Sequence, residues 1–257
     1  MSRATVLAYT LACYAFFLGV FLYAIAFVGN LGVPTTVDAG GPAAHVGVAL
    51  TVNVALLSAF AVQHSVMARP AFKRWWTRFV PQAAERATYV LASSAAFVAL
   101  FAWWHPIDAV IWELPSGFAS TAMTAVYFGG WALLLYATTL IDHFDLFGVR
   151  QGFLHWKGET HSKSLFMTPA LYRNVRHPLY VAWLVIFWAT PTMSAGHLLL
   201  ALMTTGYILV AIQMEEKDLI EEFGDTYRDY REVTPMLIPR PKFTSARGTG
   251  TAAANAD

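Results

Sequence analysis

Three groups of residues have types and spacings that could do chemistry. The first is Gln63-His64-Ser65, which could offer an imidazole between two hydrogen-bonding neighbours, or could be no more than a helix end surfacing from an apolar run. The second runs from Asp142 through His143 to Asp145. Asp142 and Asp145 are three apart and share a face on a helix. A carboxylate beside His143 would orient its imidazole as a general base. A solvated helix terminus is the plainer reading. His155 and His161 are near in sequence, but the spacing matches no standard ligand motif, and no metal is expected.

The third group is split between two segments. Tyr172, Arg176, His177, Pro178 and Tyr180 fall within one short stretch. Pro178 suits the first turn of a helix and pushes His177 out of the α region. Arg176 and His177 then stand at a helix N-terminus, a place suited to a carboxylate or another anion. Gln213, Glu215 and Glu216 close a later apolar run, and Tyr227 and Tyr230, three apart, lie on one helical face beyond it. If the two segments form a hairpin, Gln213, Glu215 or Glu216 meets Arg176 and His177. Charge pairing that only seals the hairpin is the plain alternative.

The elements that must position these groups are membrane spans. Hydrophobic residues make up 57% and charged residues 13% of 257, against about a quarter charged in a soluble chain. Apolar runs lie at about Val6–Val28, Ala43–Val66, Ala87–Trp104, Thr121–Ile141, Leu179–Thr190 and Gly196–Met214. They are continuous and do not alternate, which predicts helices and not a barrel. The expected fold is therefore all-α: a polytopic membrane protein of five to six transmembrane helices, with a C-terminal helical hairpin turning at Pro191–Ala195 and a cofactor-sized cytoplasmic cap. Arg69, Lys73, Arg74, Arg78 and Arg86 follow the second run, and Arg150, Lys157, Lys163, Arg173 and Arg176 follow the fourth, while residues 30–42 and 105–120 hold no Lys or Arg. That alternation predicts both termini and both basic loops on the cytoplasmic side of an inner or plasma-type membrane. Trp75, Trp76, Trp103, Trp104 and Trp112 fit interfacial belts. Residues 1–243 read as one domain and 244–257 as a disordered tail. A net charge of +1 gives no reason to expect nucleic acid.

Arg176-His177-Pro178-x-Tyr180, then Glu215-Glu216, then Phe223-Gly224-x-x-Tyr227-x-x-Tyr230 with Pro235 and Pro239, resembles the isoprenylcysteine carboxyl methyltransferase superfamily. The resemblance covers about residues 165–241. It implies a membrane methyltransferase using S-adenosyl-L-methionine, with the C-terminal hairpin and the segment after it forming the cofactor pocket. A narrower similarity, to the bacterial methanethiol S-methyltransferases, rests on Ile141 to Gln151, Gln63-His64-Ser65 and Phe187 to Leu198. It implies a small thiol substrate, methanethiol, converted to dimethyl sulfide. Ala182 stands where the wider superfamily often has Gly, which weakens the link to the prenyl branch. The resemblance implies cofactor contacts from Arg176, His177, Pro178 and Tyr180, with Glu215 or Glu216 closing the pocket.

A small alkyl thiol is mostly protonated at neutral pH, so a base is useful. His143 backed by Asp142 or Asp145 is the first choice and His64 the second. The expected site has a cofactor half (Tyr172 to Tyr180 with Gln213 to Tyr230) and a thiol half (His64 with Asp142, His143 and Asp145), meeting at one membrane face. Methylation of a larger, lipid-borne thiol or carboxylate, and a non-enzymatic membrane component, are the competing readings.

Overall fold

The computed structural model describes residues 2–161 and 166–239. The tail expected at 244–257 and Lys163 of the second basic loop lie outside them, as do the outermost residues of the 165–241 segment.

Five helices are long and apolar enough to cross a bilayer. They are α1 (Arg3–Val28), α2 (Val46–Ala68), α4 (Gln82–Trp103), α5 (Phe118–Leu140) and α9 (Ala195–Phe223), with the short α3 (Pro70–Trp76) between the second and third. Between α5 and α9 come α6 (His143–Leu146), α7 (Val149–Lys157) and α8 (Pro178–Trp188), and α10 (Asp225–Val233) closes the chain. The spans carry little amphipathic character, as expected of helices whose outer faces meet lipid. The helical, multi-span architecture is thus as the apolar runs predict.

The fifth run differs from a simple span. Helix α8 has 11 residues, roughly 16 Å, or about half a bilayer core. The chain then runs on in an extended form through β2 (Thr192–Ser194), which pairs antiparallel with β1 (Val110–Glu113) from the loop between α4 and α5. This small sheet, absent from an all-α expectation, ties the hairpin turn to the end of the bundle that lacks Lys and Arg. Pro191 accounts for the early stop, since it cannot continue the α8 hydrogen-bond ladder.

Close packing fixes α8 against α5. A Cβ on Gly130 would come within 2.9 Å of Ile186 Cγ1, so the glycine lets the two backbones approach. The core gathers around Phe27, Phe101, Trp104, Trp131, Ile186 and Leu200. Trp104, expected in an interfacial belt, is fully buried and donates its indole N–H to Val37 O at 2.9 Å. Trp103 is 59% exposed and keeps the belt reading.

Candidate active site

The start of α8 meets the end of α9, as a hairpin requires, and a single carboxylate fastens them. Glu216, with a side chain 3% exposed, accepts from Arg176 Nε at 2.8 Å and from His177 Nε2 at 3.0 Å, and it forms an ion pair with Arg231, Nε to Oε2 3.2 Å. Arg176 Nη1 also donates to the carbonyls of Arg231 and Thr234. The strand-like segment after α10 returns to dock here: Arg176 N donates to Pro235 O and His177 N to Met236 O. The anion held by Arg176 and His177 is therefore the chain's own Glu216. Pro178 is buried at the first position of α8, as its ring geometry predicts.

Glu215 is different. Its side chain is 45% exposed, and His177 Nδ1 lies 3.9 Å from it. The phenols of Tyr180, Tyr89, Tyr172, Tyr207 and Tyr227 lie within reach of its charge. Gln213 is exposed and joins neither Arg176 nor His177 by a hydrogen bond among the described residues.

Tyr227 and Tyr230 do share a face, with ring centroids 5.8 Å apart and Phe166 packed edge-on at 5.8 and 5.4 Å. Tyr230 donates to Tyr172 O at 2.5 Å. Burial pushes the Tyr230 phenol up to about 12 and raises Tyr172 and Tyr227 too, so all three stay protonated. The Tyr227 hydroxyl is buried and has no hydrogen-bond partner among the described residues, an arrangement that costs free energy unless a ligand or water completes it.

The expected thiol half is divided. His143 does not pair with Asp142 or Asp145: Asp142 ion-pairs with Arg150 and caps α6 through the Asp145 amide, while Asp145 meets His161 at 2.5 Å. Instead Thr138 Oγ1 lies 2.9 Å from His143 Nδ1, and Tyr14 OH lies 2.7 Å from Nε2. Thr138 commits its own proton to Leu135 O at 2.7 Å. Nδ1 therefore carries the imidazole proton, and Nε2 accepts from Tyr14. Burial lowers the basicity of His143, and the Asp142 charge opposes this in part. Asp142 reaches its capping position at φ 69°, a left-handed conformation that shows how tightly this corner is held.

His64 is built in the same way on other helices. Tyr89 OH lies 2.6 Å from its Nε2, and Ser93 Oγ lies 3.1 Å from Nδ1. Phe60 stacks on the ring at 5.2 Å and Tyr207 closes an edge at 6.4 Å. Ser65 Oγ donates to Tyr207 OH at 3.3 Å, so the Gln63-His64-Ser65 turn of α2 is joined to α4 and α9. No hydrogen bond or ring contact connects His64 to His143 among the described residues. Arg86 lies over the Tyr89 ring at 5.1 Å and donates to Leu146 O at 2.7 Å. It also lines a cavity of about 630 Å³ with Lys73, Glu85, Asp145, Gln151 and His161 at the basic end.

The chain is 53% identical over 239 residues to methanethiol S-methyltransferase 2 of Bradyrhizobium diazoefficiens, covering 93% of this chain and 92% of that protein. It is 51% identical over 241 residues to methanethiol S-methyltransferase of Mycobacterium tuberculosis, covering 94% and 98%. The chain belongs to the methanethiol S-methyltransferase family. It is an enzyme of the methyltransferase class, which sets aside the non-enzymatic reading. Nurim of Rattus norvegicus is 30% identical over 207 residues, covering 73% of this chain and 78% of that protein. No family model matches, and no solved structure matches.

Sequence reasoning missed Tyr14, Thr138, Tyr89, Ser93, Tyr207 and Arg231. All but Arg231 stand within apolar spans, where a hydroxyl looks like ordinary packing. The available signal was the recurrence of tyrosine inside runs with few other polar groups.

Proposed function

We propose that this enzyme methylates methanethiol to dimethyl sulfide with S-adenosyl-L-methionine as methyl donor. The observation that carries the reading is Glu215, a partly exposed carboxylate with several phenols within reach of its charge, together with a buried Tyr227 hydroxyl that has no hydrogen-bond partner among the described residues. A carboxylate among aromatic faces suits a cation, and a buried donor without a partner suits a polar ligand. The residues present therefore fit this cofactor. When bound, it supplies a methyl group on a positively charged sulfur.

Glu215 would take the ammonium of the cofactor's amino-acid part, and Tyr227, Tyr230 and Phe166 would pack against its adenine. Tyr180 and Tyr172 would complete the wall. Arg176, His177 and Pro178 act one layer back, holding Glu216 and hence the register of α9 against α8. His64 is the proposed base, because its partner Tyr89 is among the phenols within reach of the Glu215 charge. The aromatic box of Phe60, Tyr89 and Tyr207 keeps water from the thiol. Reaction of an anionic sulfur with a cationic methyl donor disperses charge, and such a step is slowed by water around the reactants. Asp142 and Asp145 serve the fold of the α6–α7 corner, and His143 is held by Tyr14 as part of it. The positive charge of the basic loops supports a position for this end on the cytoplasmic side of a bacterial inner membrane.

Membranes from cells expressing the chain, given cofactor and methanethiol, should produce dimethyl sulfide above an empty-vector control. His64→Gln should remove most turnover, and His143→Gln should leave most of it. No product from the unaltered chain defeats the functional reading. Loss with His143→Gln alone transfers the base to the Tyr14–His143 pair.

A further inference from the structure

We infer that Tyr89, not His64, is the residue that touches the substrate thiol, and that it passes the thiol's proton to His64. The inference rests on the methyltransferase reading above and assigns a residue within it. Both imidazole nitrogens of His64 are engaged, Nδ1 by Ser93 Oγ at 3.1 Å and Nε2 by Tyr89 OH at 2.6 Å. One face is covered by Phe60, stacked at 5.2 Å with 28° between the planes, and Tyr207 stands at an edge. A thiol has no open nitrogen to approach. The Tyr89 oxygen does have capacity left: while it donates to Nε2, its lone pairs can accept from an S–H.

The Tyr89 ring lies under Arg86, which lines the cavity at the basic end. On this inference the thiol enters past Arg86 and meets the phenol. The relay uses the tautomer in which Nδ1–H donates to Ser93 and leaves Nε2 as the acceptor.

The step balances as follows. The thiol S–H bond breaks and its proton moves to the Tyr89 oxygen, as the Tyr89 proton moves to His64 Nε2. Sulfur keeps the electron pair and forms the new bond to the methyl carbon, whose old bond leaves its pair on the donor's sulfur. The imidazolium returns its proton through Tyr89 to water after the thioether departs. One proton is released per turnover, and Tyr89 is unchanged.

The test compares two small thiols, methanethiol and the far more acidic 2,2,2-trifluoroethanethiol, which ionises without help. Tyr89→Phe keeps the ring and removes the hydroxyl. It should lower kcat for methanethiol by about 100-fold, the range of a single general-base contribution, and lower kcat for the acidic thiol by less than about threefold. Affinity for S-adenosylhomocysteine should stay within about twofold. An equal loss on both thiols would make Tyr89 a structural residue and overturn the relay, and so would full activity on methanethiol. If Tyr89→Phe fails to bind S-adenosylhomocysteine, 3-fluorotyrosine at position 89, which keeps the shape and makes the phenol more acidic, decides the matter. It should shift the pH–rate profile for methanethiol, and an unmoved profile overturns the relay. The functional reading fails separately, if the unaltered chain methylates neither thiol.

Discussion

Replacing each of the two adjacent glutamates by glutamine should produce opposite losses. Glu216 receives two hydrogen-bond donors and an ion pair from Arg231 in a site where its own side chain is 3% exposed and that of Arg176 is 9% exposed. In Glu216→Gln the amide oxygen can keep the bonds from Arg176 Nε and His177 Nε2, but the charge is gone and an NH₂ group faces the Arg231 guanidinium. Arg231 is 48% exposed on its side chain and can turn to water, so that contact counts for little. Arg176 cannot turn away, because its Nη1 is fixed by two carbonyls. A buried cation left without its counter-charge costs about 3 kcal/mol or more. For a chain of this size that corresponds to a fall of about 6–12 °C in the thermal midpoint of the detergent-solubilised protein. Removing both charges, in Arg176→Gln with Glu216→Gln, should cost less than the sum of the two single losses. Glu215→Gln should leave the midpoint within about 2 °C, yet weaken S-adenosylhomocysteine binding by about tenfold or more, equal to about 1.4 kcal/mol. Calorimetry for binding and scanning fluorimetry for stability separate the two. The reasoning is refuted if Glu216→Gln leaves the midpoint unchanged, or if Glu215→Gln lowers it as far.

Tyr227→Phe should raise the thermal midpoint of the ligand-free protein slightly, since it removes a buried hydroxyl that has no hydrogen-bond partner among the described residues. It should also weaken S-adenosylhomocysteine binding, and a variant that binds as tightly as the parent would exclude Tyr227 from the pocket. A second outcome concerns pH. The His143 pKa lies below its ordinary value, chiefly through burial. The unfolded chain therefore binds the proton first as pH falls through about 6.5, and stability is lost from there downward. Thermal midpoints from pH 7.5 to 5.5 should fall less steeply in His143→Gln than in the parent, and parallel curves would rule His143 out as a contributor.

The helical framework was legible in the sequence because continuous apolar runs can only be spans, and lysine and arginine mark one set of loops. The limits of α8 and the strand β2 were not. An apolar run from Leu179 to Thr190 reads the same whether it is helical throughout or ends at Trp188, and only the pairing of Thr192–Ser194 with Val110–Glu113 decides it. Asp142 and Asp145 show the matching limit for the site. Their spacing puts them beside His143, but Arg150 and His161 take up the two carboxylates, and neither partner follows from helical periodicity. The tyrosines that complete both histidine pairs come from α1 and α4, 129 and 25 residues from their partners, so no local pattern could join them.

Glu215 and Glu216 carry this furthest. Their shared chemistry makes them look interchangeable in a sequence, but consecutive residues on an α-helix point about 100° apart, given 3.6 residues per turn. On α9 they therefore cannot both face α8 in the same way. Whichever one turns inward must find donors for its charge or pay for burial, and Arg176, His177 and Arg231 are arranged around one position only. The neighbour is left with its carboxylate partly exposed, its charge within reach of several phenols. Helix geometry alone thus divides the pair into a structural and a ligand-facing member. Packing of α8 and α10 then decides which is which: it buries Glu216 and leaves Glu215 exposed, the arrangement on which the proposed ligand role of Glu215 rests.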